Sequence, residues 1–164
     1  MKGGGNAGPS FDLDSLGDYS LEEGARFIGA WHEAPAEGKP AGGHLHLAFL
    51  TDEDWKAVGV CLTQPEPTRV LATVYGDAIV DRVKAQIARI LSLDVDGRDW
   101  PAVAKRDRVV AKLQQMFPGF RPVNWSNAYE AAAWSLISTR ISMRQGQDIK
   151  NRMSREIGHP VDVH

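Results

Sequence analysis

The chain is poor in cysteine, with one in 164 residues, and that scarcity excludes an internal disulfide framework. Cys61 stands in VGVCLTQ with nothing basic beside it to depress its pKa, so it reads as a buried structural thiol in a reducing compartment. Long apolar runs are missing as well. None approaches the ~20 residues that a membrane-spanning helix needs. The first seventeen residues, MKGGGNAGPSFDLDSLG, lack the apolar centre of a secretory signal. These absences predict a cytoplasmic protein with no membrane partner. Also absent are a Ser, His and Asp arrangement, a phosphate-cradling glycine loop and a CxxC pair. No cofactor is expected.

Two patterns resemble metal sites and fall short. DVDGRD, residues 94 to 99, spaces its aspartates like a calcium loop, but the glycine comes too early and Arg98 stands where an oxygen ligand is needed. A turn built on Asp96 and Gly97 is the better reading. His44 and His46 share a strand face, yet no neighbouring Cys or further His completes a ligand set, which favours a solvated strand face and no metal.

What the chain does have is a 43% hydrophobic content, enough for a proper core, and a net charge of -2 that is unevenly spread. Residues 1 to 60 hold four Lys and Arg against ten Asp and Glu; residues 121 to 164 hold six against four. Arg121, Arg140, Arg144, Lys150, Arg152 and Arg155 form a modest basic footprint, of a kind also found on proteins that bind no nucleic acid.

Hydrophobic period divides the chain. After a Gly-rich leader over residues 1 to 17, expected to be disordered, Ser20 and Glu23 in SLEEGARFIGA form the capping-box pattern of a helix start. HLHLAFLT, KAVGVCLTQ and TRVLATVYG follow at strand length, predicting a three-stranded antiparallel meander with a helix on one face over residues 18 to 77. From about Ala78 the period becomes helical. Ile79, Val80, Val83, Ile87, Ile90 and Leu91 fall on one stripe, and RDRVVAKLQQMFPG repeats the pattern up to Pro118 and Gly119. NAYEAAAWSLIS has Ser126 or Asn127 as its cap and puts Tyr129, Ala132, Ala133, Leu136 and Ile137 on one face. SMRQGQDIKNRMSREIG opens at Ser142 and closes at Gly158. The five tryptophans are mostly core candidates. The fold class expected is α+β: a small antiparallel sheet with a packed helix, then an all-α region.

The order AYEAAAWSLISTRIS, with PGFRP upstream and RILSLD before that, resembles the start of the catalytic region in the helix-hairpin-helix DNA glycosylases. The match is nearest to the DNA-3-methyladenine glycosylase II type and runs from about residue 18 onward. The family pattern is an aromatic residue and Glu, an apolar pair, then commonly Gln-Gln-Ile-Ser at the corner. Here stand Tyr129 and Glu130, Leu136 and Ile137, then Thr139, Arg140, Ile141 and Ser142; the last two match, and Thr139 and Arg140 depart.

The resemblance implies an enzyme that extracts a damaged base from double-stranded DNA while a side chain on this corner fills the gap from the minor groove. Arg140, with Ile141 beside it, occupies the corner, and Arg144 and Lys150 become phosphate contacts. Phe27 and Trp31 are the aromatic residues that would line the base pocket. The family's DNA-gripping hairpin and its catalytic aspartate lie downstream of the second of these helices, and this chain reaches GHPVDVH without an LPGIG-like hairpin. Residues 78 to 164 are therefore expected to be an incomplete helical domain, the chain to be inactive by itself, and no catalytic residue is assigned. Apolar faces around Ile149, Met153 and Ile157 would favour a homo-oligomer or a separately encoded C-terminal half. Three classes stay open: the N-terminal part of an alkylated-base glycosylase, a non-catalytic DNA-binding remnant, and a protein-interaction module.

Overall fold

Strict alternation along VGVCLTQ and RVLATVY sends Val58, Val60 and Leu62 to one side of a sheet together with Val70, Ala72 and Val74 from the next strand. In the computed structural model, which describes residues 8 to 31 and 43 to 163, these strands are β3 (Ala57–Glu66) and β4 (Arg69–Tyr75). β2 (His44–Leu50) pairs with β3, and β1 (Ser10–Asp14) pairs with β4, giving an antiparallel sheet in the order β1-β4-β3-β2. Two helices cover its apolar face. Leu21 and Ala25 come from α1 (Leu21–Trp31), and Val83, Ile87 and Ile90 from α2 (Val80–Ile90). Each of these leucine, valine and isoleucine side chains taken fully from water contributes roughly 1.5–3 kcal/mol. The α+β class is as expected.

Residues 1 to 7 of the expected leader lie outside the described residues; beyond them the expectation of disorder is corrected by β1. Ser10–Asp14 is an ordered strand, in register with Arg69–Thr73, and its Leu13 is buried in the core. SFDLD alternates polar and apolar residues, with Phe11 half-buried against the core and Leu13 buried. The alternation is only five residues long, follows a Gly-rich stretch, and is fixed as a strand by pairing along the free edge of β4. The expected meander thus gains a fourth strand.

The remaining helices are a short α3 (Trp100–Val103), α4 (Arg108–Met116), α5 (Ala128–Ile137) and α6 (Met143–Ile157). Their starts are capped by side chains. Asp107 accepts from the amides of Val109 and Val110, Asn127 from that of Glu130, and Ser142 forms a complete capping box with Gln145. Ser20 completes only half of the box expected of it. Its hydroxyl accepts from Glu23 N at 3.2 Å, while its own amide donates to Gly119 O and the Glu23 carboxylate pairs with Arg26.

Residues 94 to 99 form the expected turn. Asp96 accepts from the Arg98 amide at 3.0 Å and pairs with its guanidinium, which holds the carboxyl down at about 2. Arg121, counted above in a surface footprint, lies inside the molecule at 8% exposure. It donates to the carbonyls of Leu16, Asp18, Ser92 and Val95, and an added Cβ on Gly97 would stand 2.6 Å from its Nη2. The residue ties two loops to each other, which a charge count along the chain does not reveal.

The tryptophans are also corrected. Trp134 is buried, whereas Trp55, Trp100 and Trp125 are exposed by 54, 50 and 37%. The sheet core is filled by β-branched and leucine side chains, and the large rings are left to the loops and helix surfaces. Among the described residues no helix is long and apolar enough to cross a membrane.

Candidate functional site

α5 and α6 are joined by a five-residue corner, residues 138 to 142, secured at both ends. The amide of Ser138 returns to Trp134 O and that of Thr139 to Leu136 O, while the Thr139 hydroxyl donates to Ser135 O at 2.8 Å. On the far side the Ser142 amide donates to Gln145 Oε1 at 2.9 Å. Between these anchors Arg140 takes a φ of +58°, the left-handed region in which a Cβ crowds the backbone. A residue with a side chain there costs roughly 1–2 kcal/mol relative to a right-handed conformation. Glycine would relieve it, yet the position carries the largest donor array among the side chains. The side chain is exposed and engages no acceptor among the described residues.

Ile141 turns the other way. It is half-buried, and an added Cβ on Gly146 of α6 would lie 3.8 Å from its Cδ1 and 3.3 Å from Trp134 Cη2. The missing side chain of Gly146 lets α6 close onto Trp134, so the tryptophan links the corner to the cavity behind it.

That cavity, about 270 Å³, is walled by Phe27 of α1, Leu47 and Phe49 of β2, Trp125, Trp134 and the Glu130–Lys150 pair. The Trp125 and Trp134 rings lie 6.1 Å apart at 36°. Phe27 packs at 5.5 Å on Phe120. Lys150 Nζ donates to Glu130 Oε1 at 2.7 Å and stands 5.8 Å over the Trp125 ring. The second Glu130 oxygen accepts from the Ser126 hydroxyl and, at 3.3 Å, from its amide. Burial works to raise the pKa of Glu130, but the hydrogen bonds from Lys150 and Ser126 outweigh it and keep the carboxyl below its ordinary value. The site is thus an aromatic recess containing a compensated ion pair.

Of the side chains singled out in the sequence, Thr139, Arg140, Ile141, Ser142 and Arg144 cluster at the corner, with Arg144 exposed in the first turn of α6. Lys150 does not join them. Six residues on, at about 100° each, it faces inward and serves Glu130. Phe27 lines the cavity; the side chain of Trp31 lies outside the described residues. Trp125, Trp134 and the role of Glu130 were missed. The signal for Glu130 was present: a carboxylate inside the apolar run AYEAAAWSLI needs a partner, and Ser126 stands four residues before it.

His44 and His46 are not left without a third potential ligand. Cys61, fifteen residues from His46 in sequence, is its direct register partner across β2 and β3, and Cys61 Sγ lies 3.3 Å from His44 Nδ1. The expectation that nothing nearby completes the set is corrected by this register, which strand spacing alone does not specify.

No family model and no curated protein matches the chain. Among solved structures it is similar to a 3-methyladenine DNA-glycosylase from Archaeoglobus fulgidus, with a TM-score of 0.69 and 16% identity over 89% of this chain and 50% of that one. It is also similar to MBOgg1 in complex with a low-affinity DNA ligand, with a TM-score of 0.55 and 12% identity over 96% of this chain and 50% of that one. The chain therefore has a DNA glycosylase fold, and it spans half the length of these solved structures.

Proposed function

We propose that the chain is the N-terminal part of an alkylated-base DNA glycosylase, contributing the corner that grips a duplex and part of the base pocket without itself hydrolysing the N-glycosidic bond. The observation that carries this is Arg140: an exposed guanidinium, without a partner among the described residues, held in a left-handed conformation between two capped helices that also wall an aromatic recess. A planar guanidinium stacks on bases while its donors reach bases or phosphates, so it suits the gap left by an extruded nucleotide. The recess behind it offers ring faces to that nucleotide. An alkylated purine is electron-poor and often cationic, and such rings favour aromatic faces. In this reading Arg144 contacts phosphate, and Lys150 fixes Glu130.

Bond cleavage needs a carboxylate free to stabilise a cationic sugar. Glu130 is the one carboxylate that walls the recess among the described residues, and it is committed to Lys150 and Ser126. This supports binding without base release. The exposed apolar side chains of Leu136, Met153 and Ile157 support a further partner surface, for a second copy or a separately encoded C-terminal half.

Fluorescence anisotropy with duplex DNA carrying an abasic analogue tests the reading. Binding that weakens steeply with salt, a roughly tenfold loss (~1.4 kcal/mol) in Arg140→Ala, and no 3-methyladenine released from alkylated DNA are expected. Absence of duplex binding at low salt would overturn it. Release of free base would overturn the non-catalytic part alone. Light scattering checks the partner surface, where a monodisperse monomer that binds no hydrophobic dye is the contrary result.

A further inference from the structure

The sheet has a second face, turned away from the valine and leucine core, and it carries chemistry that the recess does not use. His44 and His46 sit two residues apart on β2 and so project to the same side. Cys61 projects to that side from β3, between Val60 and Leu62, which project to the other. This side is covered nearby by the last described residues. An added Cβ on Gly59 would meet Val161 and Val163 at 2.8 and 2.4 Å. Cys61 is accordingly buried at 6% exposure although it faces away from the core, while His46 remains exposed.

We propose that His44, His46 and Cys61 form a binding site for a borderline-soft divalent cation, zinc. One ligand atom from each residue lies within 4.8 Å of the other two, and the His44 Nδ1 to Cys61 Sγ distance is already 3.3 Å. In a tetrahedral zinc site, with metal bonds of about 2.0–2.3 Å, ligand atoms stand roughly 3.3–3.6 Å apart. Rotation of the exposed His46 ring closes the remaining gap, and its centroid is 6.3 Å from that of His44 with the rings at 87°. Two imidazoles and a thiolate select this class of ion over magnesium or calcium, which prefer oxygen. Binding is a ligand exchange with no redox step. The thiol proton leaves to solvent as the Zn–S bond forms, each imidazole donates a lone pair, and hydration waters are released. The fourth position is taken by water.

Such an ion would clip β2, the edge strand, to β3. β2 presents Leu47 and Phe49 to the aromatic recess on its other face, so the clip would stiffen a wall of that recess. The proposal does not depend on the DNA reading.

Tag-free chain, stripped of metal and kept reduced, is titrated with zinc by calorimetry and with cobalt by absorption. One zinc per chain, a thiolate-to-cobalt charge-transfer band and a melting temperature that rises with zinc concentration are expected. Cys61→Ser should abolish the band. His46→Ala, at an exposed position and with folding checked by circular dichroism, should lower zinc affinity by more than the ~10–100-fold that loss of an outer-shell partner costs. Failure to take up zinc, cobalt bound without the band, or unchanged affinity in His46→Ala would each overturn the proposal.

Discussion

The sheet with its covering helices and the α5–α6 pair contain similar apolar residues and treat them in opposite ways. Val58, Val60, Leu62 and Ala72 are fully buried between strand neighbours and the helices above them. In α5 and α6 the buried residues are Trp134 and Gly146, while Leu136 and Ile157 stand 79 and 73% exposed. A sheet face covered by two helices closes its own core. A helix pair covered on one side keeps its order through caps, one tryptophan and one ion pair, and presents what remains. In the proposed function, recognition is assigned to the second region, whose side chains are left exposed, and not to the closed core of the first.

The widest gap between the two regions should appear in leucine truncations. Leu62→Ala is expected to cost about 2–5 kcal/mol, and Leu136→Ala to stay within about 0.5 kcal/mol, by equilibrium urea unfolding. A loss at Leu136 as large as that at Leu62 would break the contrast by showing that the helix pair has a covered face of its own.

A smaller effect should come from Glu130→Gln. The folded-state pKa of Glu130 is lowered, because hydrogen bonds from Lys150 and Ser126 outweigh the burial that raises it. Its contribution to stability is therefore present above the unfolded-state pKa and is lost as pH falls through the lower, folded-state value. Near pH 7 the variant should be less stable by roughly 1–2 kcal/mol, and the two proteins should converge once pH has fallen below the lowered, folded-state value. Curves that stay parallel to low pH would mean that the ion pair does not organise the recess.

The smallest change expected is in Arg140→Gly. Relief of the left-handed backbone should raise stability by a few tenths to about 1 kcal/mol in thermal unfolding, while affinity for duplex DNA falls. A variant that is less stable, or that binds DNA unchanged, would remove the reason for a side chain at that corner.

Local signals were the most legible. Ser142 with Gln145 and Asn127 with Glu130 mark helix starts because each cap joins residues three apart, and Pro118 and Gly119 follow directly on the end of α4 at Met116 and its cap Phe117. β2, β3 and β4 were legible through alternation. β1 was not, since its alternation of Phe11 and Leu13 with Ser10, Asp12 and Asp14 is only five residues long and follows a Gly-rich stretch, and pairing with the edge of β4 is what fixes it as a strand. The corner was visible as a polar interruption, but the conformation of Arg140 was not. In the recess, Phe27 stands where an aromatic lining residue is expected; Trp134 is buried, as a core tryptophan should be, and also walls the recess, whereas Trp125 is exposed.

The sequence by itself determined the α+β division, the ends of the long helices and the place of the corner, because these follow from contacts within a few residues. Only the tertiary structure decided that Arg121 is an internal clasp, that Lys150 turns inward to Glu130, and that Cys61 meets His44 and His46. Those outcomes depend on register and on packing between elements from fifteen to more than a hundred residues apart, and no local pattern encodes that geometry.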